Sequence, residues 1–86
     1  MLKVIKASAS WCSPCRVLKP IFDKVKQNTT GVDFEEMDID DQADLAQQMN
    51  VRAVPTILFV KDGQVVETLV GLKKEQEIVD VINKWK

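Results

Sequence analysis

The chain has 86 residues, of which 45% are hydrophobic and 29% charged, and its formal net charge is -1. This length suits one small domain, which we place at residues 1–86, and it excludes a two-domain enzyme. The composition is typical of a folded globule, and the balanced charge excludes the basic surface of a nucleic-acid binder. With no His and only two Cys, the chain has neither His-based acid–base chemistry nor a four-ligand zinc site of its own.

The sequence predicts neither a membrane anchor nor a secretory leader. Its longest aliphatic or aromatic run, at 57–60, is far below the roughly 18 apolar residues that span a bilayer. Lys3 and Lys6 interrupt the apolar N-terminus, which therefore lacks the apolar stretch of a secretory signal. We expect a cytoplasmic protein that contacts neither membranes nor nucleic acid.

Apolar periodicity and turn signals divide the chain into seven predicted elements. In chain order these are a strand at 2–7, a helix at 13–27, a strand at 32–38, a helix at 40–49, strands at 55–60 and 64–70, and a helix at 73–85. Pro20 predicts a kink in the first helix, since the apolar pattern continues past it. Leu45, Ala46 and Met49 are predicted to face inward from the second helix.

The element order predicts an α/β sandwich with a four-stranded mixed sheet and helices on both faces. A right-handed crossover makes the first two strands parallel. The Asp62-Gly63 turn then predicts a hairpin that adds an antiparallel edge strand.

Two cysteines lie where the first strand meets the first helix, in Trp11-Cys12-Ser13-Pro14-Cys15. Cysteines three residues apart on a helical turn can form and break a disulfide without unfolding of the domain. A helix N-terminus lowers a thiol pKa from about 8.5 to roughly 3.5–7.5. We therefore predict reversible thiol–disulfide exchange, with Cys12 at the exposed end as nucleophile and Cys15, one turn deeper, as resolving thiol. Pro14 suits the first helical turn and limits the conformations of the loop.

Other interpretations of these residues remain open. The cysteines are compatible with half of a zinc site completed by another chain, or with two inert buried thiols. Trp11 suits core packing or a substrate-facing surface equally well.

These features together resemble the thioredoxin family over essentially all 86 residues. The resemblance depends on the C-x-x-C of Cys12 and Cys15, followed far along the chain by Val54-Pro55-Thr56 before a strand. It implies that Pro55 is a cis-proline that lies against the cysteines, and that the Val54 backbone pairs with an extended substrate segment. The residues alone indicate only that Pro55 starts a strand. It also implies a shallow apolar patch around the thiols, formed by Trp11, Ser13, Pro14, Ala53, Val54, Val70 and Gly71.

The chain begins at the position of the family's second strand, so the resemblance implies a four-stranded sheet with 32–38 as an edge. Charged side chains on an exposed edge discourage pairing with another chain. The acids of this region form either a solvated face or a surface that selects basic partners; they are Asp33, Glu35, Glu36, Asp38, Asp40, Asp41 and Asp44.

Lys6 is the largest departure from the family, which usually has a buried Asp six residues before its nucleophilic Cys. Glu36 stands where the family commonly has a Lys partner, so the two charges are exchanged. Our hypothesis is an ion pair across adjacent strands; the alternative is that the Lys6 stem packs while its ammonium reaches solvent. Beneath Cys15, Lys6 would favour thiolates and a more oxidising couple. Glu36, or a neutral Lys6, would help to deprotonate Cys15.

The resemblance implies a monomeric thiol–disulfide oxidoreductase that reduces protein disulfides through Cys12 and Cys15 and has no bound cofactor. An external thioredoxin reductase or another dithiol would restore the reduced form. Three alternatives remain: a glutaredoxin-like reductase that uses glutathione, a more oxidising oxidase or isomerase, and a non-catalytic binding module.

Overall fold

The computed structural model describes all 86 residues, as four strands and three helices. In chain order these are β1 (Leu2–Ser8), α1 (Ser13–Gln27), β2 (Asp33–Asp38), α2 (Ala43–Gln48), β3 (Thr56–Lys61), β4 (Gln64–Val70) and α3 (Glu75–Trp85). None of the helices has the length and apolar character needed to cross a membrane.

The strands form one sheet in the order β2-β1-β3-β4. β1 is parallel to β2 and antiparallel to β3, and β4 is antiparallel to β3. The turn between β3 and β4 has positive φ at Asp62 and Gly63, 53° and 81°, as a tight hairpin connection requires. The predicted four-stranded mixed sheet is thereby confirmed.

Two apolar clusters cover the two faces of the sheet. Successive β1 side chains point to opposite faces, so that Val4 packs against α1 and α3 while Ile5 packs on the α2 side. The larger cluster lies under α1 and α3 and comprises Leu2, Val4, Leu18, Phe22, Val25, Ile57, Phe59, Ile78, Val81 and Ile82. The smaller cluster lies under α2 and comprises Ile5, Ala7, Met37, Ala46 and Leu58. Helices therefore cover both faces, as predicted.

The helices differ from the sequence prediction in detail. Asp38 Oδ1 accepts hydrogen bonds from the backbone N–H groups of Asp40 at 2.9 Å and Asp41 at 3.4 Å. This local turn competes with helical hydrogen bonding, and α2 begins only at Ala43. The inward orientation predicted for Leu45 was wrong, because that side chain is 39% exposed and Ala46 is the buried residue of the helix.

Candidate active site

The cysteines occupy the junction that β1 and α1 create. Cys12 is the N-cap of α1, and its Sγ accepts a hydrogen bond from the backbone N–H of Cys15 at 3.2 Å. Pro14 lies in the first turn, where its missing N–H leaves no helical hydrogen bond unmade. Cys12 and Cys15 are joined by a disulfide, with their Cα atoms 5.3 Å apart. The site therefore contains its own redox group.

The prediction that Cys12 is the more exposed cysteine was wrong. Cys12 is 4% exposed and Cys15 is 5% exposed, within a small apolar cluster that also contains Ala9. Both side chains point under the surface because Ile39 and Val54 pack against this cluster. The two sulfurs differ in hydrogen bonding instead, since an amide at the helix start donates to Cys12 Sγ. Such a donor stabilises a thiolate.

The second sequence motif forms a loop beside the cysteines. The Val54–Pro55 peptide bond is cis, and Val54 packs against the cysteine cluster. Thr56 Oγ1 donates a 2.6 Å hydrogen bond to the carbonyl of Ala53, and the N–H of Gly71 donates a 2.8 Å bond to the carbonyl of Pro55. These bonds hold the loop between β3 and the end of β4, so the two distant motifs lie together.

The residues predicted to contact substrate differ in their exposure. Trp11 is 64% exposed, which rules out a core-packing role for its side chain. Ser13, Pro14, Ala53 and Val70 are also exposed, Val54 and Gly71 are half-buried, and Pro55 is buried. Sequence reasoning missed one partner: Trp11 Nε1 donates a 3.0 Å hydrogen bond to Asp40 Oδ2. The only sequence feature that singled out Asp40 was its place in the acidic run after β2.

Lys6 and Glu36 form the hypothesised ion pair. They occupy one register position of the parallel β1–β2 pair, with Lys6 Nζ 2.7 Å from Glu36 Oε1. Lys6 is 2% exposed, so its ammonium does not reach solvent by itself, and it lies 5.3 Å from the centroid of the Phe22 ring. The Glu36 side chain is 53% exposed. The hydrogen bond from Lys6 holds the pKa of Glu36 below its usual range.

A shallow pocket of about 270 Å³ connects this pair to the disulfide. Its lining includes Lys6, Cys15 and Glu36, together with Arg16 and Lys19 from α1. A larger open groove of about 560 Å³ borders the cis-proline loop at Ala53 and Thr56. It shares Ala53 and Val70 with the predicted substrate surface. No group of three or more His, Cys, Asp or Glu side chains is arranged to hold a metal ion.

Comparison with known proteins identifies related sequences and folds. The family model described as "Thioredoxin" matches residues 1–84. Thioredoxin H2 of Arabidopsis thaliana is 40% identical over 75 residues, which cover 87% of this chain and 56% of that protein. A thioredoxin of Malassezia sympodialis is 41% identical over 70 residues, which cover 79% of this chain and 67% of that protein. The chain thus spans little more than half the length of the Arabidopsis relative.

The same relationship appears among solved structures. Thioredoxin NaTrxh from Nicotiana alata superposes with a TM-score of 0.91 at 38% sequence identity. The superposition covers 96% of this chain and 71% of the Nicotiana protein.

Proposed function

Because the chain belongs to the thioredoxin family, we propose that it is a thiol–disulfide oxidoreductase that reduces the disulfides of protein substrates. One observation carries the proposal. The Cys12–Cys15 disulfide lies at the start of α1, beside the cis-proline loop, whose Val54 packs against the cysteine cluster. These features are what a dithiol needs in order to meet and reduce a second disulfide.

Cys12 is the proposed nucleophile. In the reduced protein its thiolate attacks one sulfur of the substrate disulfide, so that a bond forms between Cys12 and that sulfur. The substrate's other sulfur leaves as a thiolate and takes up a proton from water. The hydrogen bond from the Cys15 N–H at 3.2 Å supports this assignment, because it stabilises negative charge on Cys12 Sγ before the attack.

Cys15 is the proposed resolving thiol. It loses its proton to water, and its sulfur attacks Cys12 Sγ, which forms the Cys12–Cys15 disulfide. The bond between Cys12 and the substrate breaks, and the released substrate sulfur is protonated. Two electrons have then passed from the protein dithiol to the substrate. An external dithiol, in the family a reductase, supplies two electrons to restore the dithiol.

The substrate surface follows from the same geometry. Trp11 and Pro14 flank the cysteines in sequence, Val70 pairs with Thr56 next to the cis-proline, and all three side chains are exposed. Exposed apolar side chains of this kind suit an extended polypeptide around a disulfide. The backbone of Val54 is proposed to pair with that segment, and Ser13, Ala53, Pro55 and Gly71 complete the surface. Monomeric action and a cytoplasmic location stay predictions, which sedimentation and cell fractionation test.

The two serine variants test this assignment. With insulin as the disulfide substrate and dithiothreitol as the electron donor, the wild-type chain should accelerate reduction, and Cys12→Ser and Cys15→Ser should not. Only Cys15→Ser should accumulate a mixed disulfide with the substrate, because it keeps the nucleophile but lacks the resolving thiol. Reduction by Cys12→Ser, or trapping by Cys12→Ser instead, would contradict the roles assigned to the two cysteines.

A further inference from the structure

The buried ammonium of Lys6 is a feature that the exchange reaction does not by itself require. Lys6 and Thr56 are the buried polar or charged residues of the chain, and only Lys6 carries a charge. Burial of an ammonium is costly unless an opposite charge and hydrogen bonds compensate for it. In this chain Glu36 supplies the opposite charge at 2.7 Å, and the face of the Phe22 ring lies 5.3 Å away.

The position of Lys6 under α1 brings its charge to the face of the helix that carries Cys15. Cys15 and Phe22 are seven residues apart, two helical turns, and therefore lie on the same face of α1. The Phe22 ring lies over the Lys6 ammonium, and Lys6 and Cys15 line the same pocket of about 270 Å³. The charge and the resolving cysteine therefore border the same open space, which water can enter.

Of the other basic groups near this pocket, Lys19 is paired with an acid and Arg16 is not. Lys19 Nζ lies 3.4 Å from Asp23 Oδ2, and the Arg16 guanidinium donates to the carbonyl of Ser10 at 3.1 Å. From β3, the residue paired with Lys6 is the apolar Ile57. The charged side chains that face the Lys6–Glu36 pair are therefore Asp38 from β2 and Arg16, Lys19 and Asp23 from α1.

We propose that the Lys6 ammonium stabilises the thiolate of Cys15 and thereby shifts the Cys12–Cys15 couple towards its reduced state. The ion pair with Glu36 at 2.7 Å holds the ammonium in place. Lys6 touches neither reacting sulfur, so it is a positioning residue that acts through its electric field. The proposal rests on the proposed function, because it concerns the resolving thiol of that reaction.

The direction of the effect follows from the charge. A cation near a thiol favours the thiolate and lowers the thiol pKa. The disulfide carries no charge, so Lys6 stabilises only the reduced state, and a couple with a stabilised reduced state is more oxidising. The proton that Cys15 releases passes to water in the pocket.

Lys6→Met tests the proposal, because it removes the charge and keeps an unbranched side chain of similar volume. In a Cys12→Ser background, the ultraviolet absorbance of the thiolate reports the titration of Cys15, and Lys6→Met should raise its pKa by about one unit. In the chain with both cysteines, equilibration against glutathione at a pH above the measured Cys15 pKa should show a couple about tenfold more reducing, which corresponds to about 30 mV. Lys6→Arg keeps the charge and should restore both values towards wild type.

Lys3→Met is the matched control. Lys3 also lies on β1 and pairs with a β2 glutamate, with Lys3 Nζ 3.1 Å from Glu35 Oε1, but it is partly exposed and lies outside the Cys15 pocket. Both readouts should stay at their wild-type values. The proposal is overturned if Lys6→Met changes neither value, or if Lys3→Met changes them equally. Lys6→Gln gives the same comparison if Lys6→Met does not fold.

The Cys15 titration and the glutathione equilibrium do not use a protein substrate. They therefore test the effect of Lys6 independently of the proposed reduction of protein disulfides. A chain that does not reduce insulin would contradict the proposed function even if the Cys15 titration shifts as expected.

Discussion

Trp11 Nε1 donates a 3.0 Å hydrogen bond to Asp40 Oδ2, which joins the residue before the proposed nucleophile to the turn after β2. The indole is 64% exposed, so this bond is what orients a side chain that the core does not hold. The orientation of Trp11 therefore depends on a residue far away in the sequence.

Asp40→Ala should weaken the reduction of protein disulfides. A hydrogen bond contributes about 0.5–1.5 kcal/mol net, so loss of this one should lower kcat/KM for insulin by roughly two- to tenfold. The urea midpoint should change little, because both groups are exposed. Asp41→Ala removes the same charge from the neighbouring exposed position and is the matched control. An equal loss of kcat/KM in both variants would attribute the effect to charge rather than to the orientation of Trp11.

Glu36→Gln should destabilise the fold in a pH-dependent manner. It leaves the buried Lys6 ammonium without an opposite charge, at a cost on the order of 1–2 kcal/mol in the free energy of unfolding, since Glu36 itself reaches solvent. The pKa of Glu36 is lower in the folded chain than in the unfolded chain. Its contribution is therefore complete above the ordinary glutamate pKa of about 4.3 and is lost as pH falls through the lower folded value.

Urea denaturation of wild type and Glu36→Gln across this pH range measures the difference. It should be largest near neutral pH and should shrink on acidification. A difference that is independent of pH would show that Glu36 acts by packing rather than by charge.

Phe22→Ala should destabilise the fold more than Asp40→Ala or Glu36→Gln. Phe22 is buried, and its ring meets Phe34 edge to face with centroids 5.7 Å apart. Truncation of a buried Phe costs about 3–5 kcal/mol. Val17→Ala, at an exposed position of the same helix, should change the free energy of unfolding by less than about 0.5 kcal/mol. Similar losses in both helix variants would contradict the core assignment of Phe22.

Glu67 should control the environment of Trp85. Glu67 Oε1 accepts hydrogen bonds from Trp85 Nε1 at 2.8 Å and Lys84 Nζ at 3.2 Å, and these bonds hold the Glu67 pKa below its usual range. In a Trp11→Phe background, Trp85 is the only tryptophan. Its fluorescence should change with a midpoint below the ordinary glutamate pKa of about 4.3. Glu67→Gln should abolish that transition, and its persistence would assign it to another carboxyl group.

The sequence predicted the order of the elements and the β3–β4 hairpin, because apolar period and turn chemistry are local. The apolar spacing of α1 and the Asp62-Gly63 turn gave bounds that the structure reproduces for α1 and β4. The start of α2 could not be predicted in the same way. It depends on whether the Asp38 carboxylate bonds to the following amides or to water, and the polar sequence permits both.

Site residues that belong to a sequence motif could be predicted. The orientation and burial of site side chains could not, because they depend on three-dimensional contacts. Cys12 and Cys15 could be identified from their spacing and position, whereas the Val54-Pro55 loop was identified through the resemblance to the thioredoxin family. For Lys6, two orientations remained open, because the parallel register that places it opposite Glu36 is not encoded by the residues of either strand alone. The equal burial of the two cysteines likewise depends on Ile39 and Val54, which reach them from other parts of the chain.

The position of the two sulfurs next to each other also affects how the cysteines react with oxidants. Over-oxidation of cysteine to sulfinic and sulfonic acids requires that one sulfur react with several oxidant molecules in succession. In this chain the second cysteine, three residues away, is placed to capture the first oxidation product as a disulfide. We therefore expect the cysteine pair to undergo the reversible step of sulfur oxidation, disulfide formation, in preference to the irreversible ones.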